Sequence, residues 1–542
     1  MASHEDTCTR FDKYSSKLDI SRSFIRIFMA SHEDTCTRFD KYSSKLDISR
    51  SFICIFVSMI HPKTIFRIIG MLLLLLAGFF FLFSIASPFL EGNDLFGFLV
   101  SALTTTFVGL WCCIIGKNGS GDFSRRDSYI TITACWVAFA LFGSLPYWLG
   151  GHIPNFTDAF FESMSGFTTT GASILDNIES QPHALLLWRS LTQWLGGLGI
   201  VFFTVAILPM FGIDKVQLFA AESTGVSHRK VHARVSVGSR WIFGIYMLLT
   251  VSCAISLKVC GMGWFDAVNH ALTTIATSGF STRQASIGAF DSALIEYIIT
   301  LFMFLSGINY TLLFLLLFRG KLRELYRNTE FRVYLFTVLG FTLIIALGLL
   351  AQGNIDVEKA LRVSLFQVVS LQTTTGFATD DYMQWPPYLW MLLSFVMFFG
   401  ACSGSSTGAM KCGRVAILAK SIQGEFRRIL HPNAVIPVRM DGNPISQGTR
   451  ATVLTFTCLY FLLIFGGWLV FMVLGLDFVE GYSISVSCVG NIGPALGTLG
   501  PAYSWSALPV AAKWLSALLM LIGRLELFTI LLMFTASFWR RN

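Results

Sequence analysis

Four short polar segments hold the residue types best suited to chemistry in this chain: Thr168-Thr169-Thr170-Gly171, Ala276-Thr277-Ser278-Gly279, Thr373-Thr374-Thr375-Gly376 and Gly490-Asn491-Ile492-Gly493. Each lies between apolar runs, roughly a hundred residues from the next, in the manner of an internal repeat. Their spacing matches neither a metal site nor a redox motif. What they offer is oxygen: backbone carbonyls that a glycine's positive φ can turn toward one axis, with hydroxyls from β-branched threonines beside them. Four such strands facing one another would replace the hydration shell of a monovalent cation. Non-helical backbone at membrane depth is tolerated only where protein buries it or it lines water, so the four segments are expected to converge on one pore.

The composition requires such a setting. Of 542 residues, 54% are hydrophobic and only 13% charged, with 51 Phe, too little polar material to cover a soluble surface. The net charge of +8 gathers in short loops between apolar runs. That is the positive-inside pattern of a polytopic membrane protein, and it accounts for the charge without a nucleic-acid partner. Cys112, Cys113, Cys135, Cys253, Cys458 and Cys488 stand within apolar runs and read as small buried residues, with no disulfide framework expected.

Helices must position the four segments, and a crossing needs about 20 apolar residues. Residues 1–58 are set aside as a duplicated leader, because 1–28 recurs as 29–56 with only Arg26 against Cys54 differing, and Met59 is the expected start. Within 59–117, runs at 64–88 and 95–115 give two N-terminal spans. The loop between them carries Glu91 and Asp94, and the next carries Lys117, Arg125 and Arg126, so the first is expected outside and the second inside.

Four units then follow, at 118–215, 216–325, 326–425 and 426–542. Each reads as a spanning helix, an amphipathic half-helix, a glycine segment and a second spanning helix. The expected fold is therefore all-α and polytopic, with four pseudo-fourfold helix–pore-loop–helix units around one central pore. Basic loops around Arg229, Lys230, Arg234, Arg319, Lys321 and Arg427 put every unit's ends on the inner side, as do Arg540 and Arg541 at the end of the chain. Asp158, Asp176, Glu179, Asp266, Asp356, Asp380, Asp381, Asp477 and Glu480 fall on the other side. They form either an acidic rim that concentrates cations or ordinary solvated loop charges.

The last helix of the third unit is interrupted by Gly400, Gly404, Ser405, Ser406, Thr407, Gly408 and Lys411. Glycine costs a helix about 1 kcal/mol relative to alanine, so a break at mid-membrane is expected. Close helix packing through small residues is the other reading. Gly404-Ser405-Ser406-Thr407-Gly408 also fits the Gly-x-Ser-x-Gly pattern of a serine hydrolase, for which His270 is the candidate base at membrane depth. Arg524 lies in the last helix, where a buried cation is usually functional, although an Arg–acid pair that only fixes packing would also retain it. Coupled transport by broken helices is a further possibility, but such proteins show paired inverted repeats and membrane carboxylates, which are inconspicuous here.

These motifs resemble the Trk/Ktr/HKT superfamily of potassium transporters, most closely the bacterial TrkH proteins. The resemblance covers essentially everything after Met59. It rests on the threonine–glycine segments, on Asn491 to Gly497, on Trp188-Arg189-Ser190-Leu191-Thr192-Gln193-Trp194-Leu195-Gly196-Gly197 and on Gly523-Arg524-Leu525-Glu526. It implies no enzyme and no cofactor in the chain, with potassium as the transported ion in a bacterial inner membrane and both termini cytoplasmic. Thr169, Thr170, Gly171, Thr277, Ser278, Gly279, Thr374, Thr375, Gly376, Asn491, Ile492 and Gly493 would form a selectivity filter. The 400–411 stretch would lie beneath it as a gate, with Arg524 projecting into the pore as a barrier to cations. The implied partners are membrane lipid, a second copy in a homodimer, and nucleotide-binding TrkA-type subunits.

Overall fold

The structure is a computed structural model and describes residues 61–91, 94–117, 124–206, 235–353, 355–500 and 503–540. The duplicated leader at 1–58, Arg229, Lys230, Arg234 and Arg541 lie outside the described residues.

Two antiparallel helices, α1 (Pro62–Ala86) and α2 (Leu95–Ile115), open the described chain, close to the expected bounds. They pack through small residues: a methyl on Gly70 would stand 2.7 Å from the Gly109 carbonyl oxygen, so only glycine allows the backbones this close. The outer flank of α2 leaves Phe96, Phe107, Trp111 and Ile114 exposed, which suits hydrocarbon and not water.

Unit one comprises α3 (Arg125–Gly143), α4 (Phe156–Phe167) and α5 (His183–Ala206). A capping box starts α3: Ser124 accepts the Asp127 amide, and Asp127 accepts the Ser124 amide. Asp127 also accepts the His61 amide at 3.0 Å, which ties the start of α1 to this unit. Unit two has α6 (Val235–Val259), α7 (Trp264–Ile275), α8 (Ala293–Ser306) and α9 (Tyr310–Arg319). In unit three α10 (Thr329–Leu350) precedes α11 (Val357–Gln372), α12 (Pro387–Val396) and α13 (Cys412–Leu430). A hairpin, β1 (Arg439–Met440) with β2 (Asn443–Pro444), leads to unit four: α14 (Gln447–Val473), α15 (Phe478–Gly490), α16 (Val510–Arg524) and α17 (Phe528–Leu531).

Six of these helices are long and apolar enough to cross a membrane, and two further bent pairs pass the same test together. The half-helices α4, α7, α11 and α15 are each followed by one glycine segment, as the repeat requires. One large core joins α1 to units one, three and four; a second joins units two and three.

The second helix of the units departs from expectation. A single break, in unit three, is expected from the glycine content, and residues 397–411 do form a loop between α12 and α13. Yet α8 and α9 are also bent, by 107° at residues 307–309, and α16 bends by 108° from the segment after it. In α5, Gly199 has non-helical angles, φ 57° and ψ −157°. Arg524 is therefore not inside a continuous helix but at the last residue of α16, where the chain turns. Two cysteines also depart from the buried expectation: Cys458 is exposed on α14 and Cys113 is half-buried on α2.

Candidate functional site

The half-helices α4, α7, α11 and α15 end in the same way. Each closes with a pair of backbone bonds, one spanning five residues and one spanning three. Thr170 N–H donates to the Ser165 carbonyl at 2.9 Å, Ser278 to Thr273 at 3.0 Å, Thr375 to Ser370 at 2.8 Å and Ile492 to Ser487 at 3.0 Å. The three-residue partners are Thr169 to Gly166, Thr277 to Thr274, Thr374 to Leu371 and Asn491 to Cys488. This is the Schellman closure, which requires a left-handed residue one position beyond the helix. Thr169 (φ 54°), Thr277 (55°), Thr374 (55°) and Asn491 (53°) hold that position. Glycine is the usual occupant, and a threonine there costs about 1–2 kcal/mol. The residue two before the glycine is thus as regular as the glycine itself. Positive φ at the glycine holds for Gly171, Gly376 and Gly493, while Gly279 is not in the left-handed region, contrary to the simple expectation that all four would be.

The four glycines form a closed ring. A methyl on Gly171 would stand 2.7 Å from the Gly279 amide nitrogen, and one on Gly279 would stand 2.6 Å from the Thr375 carbonyl oxygen. From Gly376 it would strike the Ile492 carbonyl oxygen, and from Gly493 it would lie 2.5 Å from the Thr170 carbonyl oxygen. Each wall therefore abuts the next in chain order, and the fourth returns to the first. Beyond the ring the outer loops also interlock. Trp505 N–H donates to the Ser173 carbonyl at 2.8 Å, Ile287 N–H to the Ala378 carbonyl at 3.1 Å and the Tyr382 hydroxyl to the Ala495 carbonyl at 3.1 Å.

Several acidic groups of the expected rim have partners. Asp158 takes Lys513 at 2.6 Å, Asp266 takes Arg283 at 3.3 Å and Thr282 at 2.6 Å, and Asp380 accepts the Trp385 indole at 3.2 Å. For these residues neither the rim nor the solvated-loop reading is complete, because each is held by a named partner.

The 397–411 loop lies against the base of this ring. Gly408 N–H donates to the Thr374 hydroxyl at 2.8 Å, Ala409 N–H to the Gly490 carbonyl at 2.9 Å, and Ser406 Oγ to the Ile275 carbonyl at 3.1 Å. Loop residues thus touch the ends of α7, α11 and α15. Thr277 and Tyr310 direct hydroxyls to Ser406 at 3.2 and 3.1 Å. Ser405 pairs with Thr407 at 2.9 Å, and Lys411 Nζ donates to the Thr407 hydroxyl at 3.0 Å. Gly400 and Gly404 join the same scaffold through the Met410 carbonyl and the Tyr310 amide. Arg524 binds two carbonyls, Ser406 at 2.8 Å and Gly196 at 2.5 Å, and so joins the loop to α5. Glu526 pairs with Arg414, whose guanidinium sits 3.9 Å from the Phe456 ring centroid.

Glu330, which composition alone gives no reason to single out, is buried at the start of α10. One carboxylate oxygen accepts Ser403 N–H at 2.6 Å and Gly413 N–H at 2.9 Å, tying the middle of the loop to the start of α13. Glu330→Ala strands the buried Gly413 amide, at about 1–3 kcal/mol, and the half-buried Ser403 amide. Hydrogen exchange at Ser403 and Gly413 is expected to quicken roughly tenfold or more; unaltered protection would count against the clamp.

His270 does not face Ser406. Its Nδ1 bonds the Asp266 carbonyl at 2.7 Å and its Nε2 the Ser281 hydroxyl at 2.9 Å. The residues of a serine nucleophile and its base are not brought together here.

Comparison with known proteins gives a consistent result. A family model described as TrkH, cation transport protein, matches residues 104–541. The "Trk system potassium uptake protein TrkH" of Salmonella typhimurium is 36% identical over 484 residues, 89% of this chain and 100% of that protein. The "Trk system potassium uptake protein TrkG" of Escherichia coli is 32% identical over 84% of this chain and 94% of its own length. The crystal structure of the potassium transporter TrkH from Vibrio parahaemolyticus superposes with a TM-score of 0.80 at 32% identity, covering 88% of this chain and 99% of that one.

Proposed function

The chain belongs to the TrkH family of cation transport proteins, and from that premise we propose that it carries potassium across the bacterial inner membrane through a gated, channel-like pore. The observation that carries the reading is the closed ring in which each glycine abuts the next segment. Carbonyl oxygens of Thr169, Thr170, Gly171, Thr277, Ser278, Gly279, Thr374, Thr375, Gly376, Asn491, Ile492 and Gly493 would take the place of water around the ion. The segments share little beyond the glycine and the left-handed residue before it, so fewer complete carbonyl rings form than in a symmetric channel. Rubidium should be accepted and sodium disfavoured.

The loop from Gly400 to Lys411 would be the gate, held beneath the filter by Thr374, Glu330 and Arg524. Its hydrogen bonds to three half-helix ends support a closed pore. The basic loops would face the cytosol, where TrkA-type nucleotide-binding subunits would act on a homodimer. The test is growth in limiting potassium of a strain lacking its own uptake systems, with and without a TrkA-type partner. Rescue is expected with the partner; failure of a membrane-inserted protein to restore growth or potassium uptake would overturn the reading.

A further inference from the structure

Four positions in the same register, nine residues ahead of Gly171, Gly279, Gly376 and Gly493, are Glu162, His270, Gln367 and Ile484. They sit on the back of the half-helices, where a side chain can reach the strand that follows. An acid, an imidazole, an amide and a hydrocarbon there cannot do the same work, and their contacts differ accordingly.

In unit one, Glu162 is fully buried. Its carboxylate accepts the Ser173 hydroxyl at 3.0 Å, the Ile174 amide at 2.9 Å and Arg189 Nε at 2.8 Å. Arg189, itself only 1% exposed, extends from α5 to both neighbouring strands. It donates to the Ser173 hydroxyl at 3.0 Å and to the Ser281 carbonyl at 3.3 Å, and its guanidinium lies 4.1 Å from the Phe280 ring centroid. One turn along α5, Gln193 accepts the Phe280 amide at 3.2 Å. In unit two, His270 Nδ1 donates to the Asp266 carbonyl, which leaves Nε2 to accept the Ser281 hydroxyl. Ser281 in turn accepts the Arg283 amide at 3.0 Å.

The groups therefore form one chain of bonds, Glu162–Ser173–Arg189–Ser281–His270, running behind two adjacent strands of the ring. In unit three the corresponding Gln367 reaches only the Asp380 carbonyl, at 3.4 Å. In unit four Ile484 has no polar atom to offer. A buried ion pair adds little net stability compared with apolar packing, so its place here calls for another role, and conformational specificity is the natural one. Arginine suits that role because its planar fork holds several acceptors in fixed directions.

We propose that Glu162, Arg189 and His270 are positioning residues that fix the separation of the Gly171 and Gly279 strands, making this half of the ring the rigid wall that discriminates potassium from sodium. The inference rests on the reading of the ring as an ion filter. A smaller ion is excluded when the oxygens cannot close in around it, and a braced wall resists that movement, whereas the Gly376 and Gly493 strands lack an equivalent ionic brace in the register described.

The test uses the full chain, purified, reconstituted in liposomes and supplied with its TrkA-type partner. The readout is sodium uptake relative to rubidium uptake. A ratio taken on the same molecules does not depend on how many of them fold, so a purely structural defect would lower both fluxes and leave it unmoved. Arg189→Lys keeps the charge beside Glu162 but cannot span to Ser281, and is expected to raise the ratio roughly fivefold, the worth of about one hydrogen bond. Ser173→Ala, a milder change that removes the hydroxyl between Glu162 and Arg189, should shift it in the same direction and decides the matter if Arg189→Lys does not accumulate. Gly376→Ser serves as the reference for the filter. An unchanged ratio in the brace variants, with a shifted ratio in Gly376→Ser, overturns the brace and leaves the filter standing. An unchanged ratio in Gly376→Ser as well overturns the filter reading and the brace with it.

Discussion

Gly376→Ser is expected to cost most of the preference for potassium over sodium while leaving the chain inserted and folded. Gly376 sits at φ +79°, and a Cβ there would run into the Ile492 carbonyl oxygen and stand 2.7 Å from Pro494 Cδ. The left-handed conformation alone costs an L-residue about 1–2 kcal/mol. The collision is with backbone, which cannot swing away as a flexible side chain would, so the Gly376 and Ile492 strands must part. In the proposed filter, parting them would take carbonyl oxygens off the ion. A loss of about 1.4 kcal/mol in the difference between two ions is a tenfold loss of discrimination, and at least roughly that is expected here. Sodium and rubidium uptake measured side by side in vesicles would check it; an unchanged ratio would remove Gly376 from the filter.

Arg524→Ala is expected to raise potassium flux sharply. Two effects act together. The guanidinium ties the Ser406 carbonyl to the Gly196 carbonyl, so its removal frees the 397–411 loop from α5. It also removes a positive charge: at about 8 Å and an effective dielectric of ~20, a unit charge repels a cation by ~2 kcal/mol. That electrostatic part corresponds to roughly thirtyfold in flux. Arg524→Lys separates the two, since it keeps the charge but cannot grip both carbonyls. If the barrier is electrostatic, Lys behaves like wild type; if the latch dominates, Lys resembles Ala. Unaltered or lower flux in a folded Arg524→Ala protein would mean that the arginine serves packing alone.

Helix boundaries were largely legible because hydrophobic length is a property of local sequence. The run read at 95–115 is α2 to the residue, and the run read at 64–88 lies two residues from α1 at either end. The loop at 397–411 was legible for the same reason, because so many small residues cannot hold a helix. The bends at 307–309 and 525–527 were not. They carry one glycine or none, and what holds them lies far away in the 397–411 loop: Cys402 N–H donates to the Gly307 carbonyl, the Asn309 side chain to the Ser403 carbonyl, and the Arg524 side chain, just ahead of the second bend, to the Ser406 carbonyl. Such bonds join residues far apart in sequence, so no window along the chain contains them.

Site residues divide in the same way. The glycines declared themselves through repetition. Thr169, Thr277, Thr374 and Asn491 were among the expected filter residues, but their left-handed backbone was not; it could have been found by noticing that each stands two places before its glycine at a helix end that must be closed. Glu162 and Arg189 lay within motifs already quoted or flanked, yet their pairing depends on α4 and α5 folding together. Buried carboxylates looked inconspicuous because Glu330 falls at a helix start, which resembles a solvated end, and Glu162 in a half-helix whose depth of burial depends on its neighbours.

The ring described above is made by a single chain and not by four copies of one. In a symmetric tetramer any substitution arrives in all four walls at once, and intermediate doses need mixed assembly. Here the same change can be placed at Gly171, Gly279, Gly376 or Gly493 separately and then in pairs. The order in which discrimination fails across such a series would assign each wall its own weight, and would register whether adjacent walls, which touch, compound their defects while opposite ones merely add.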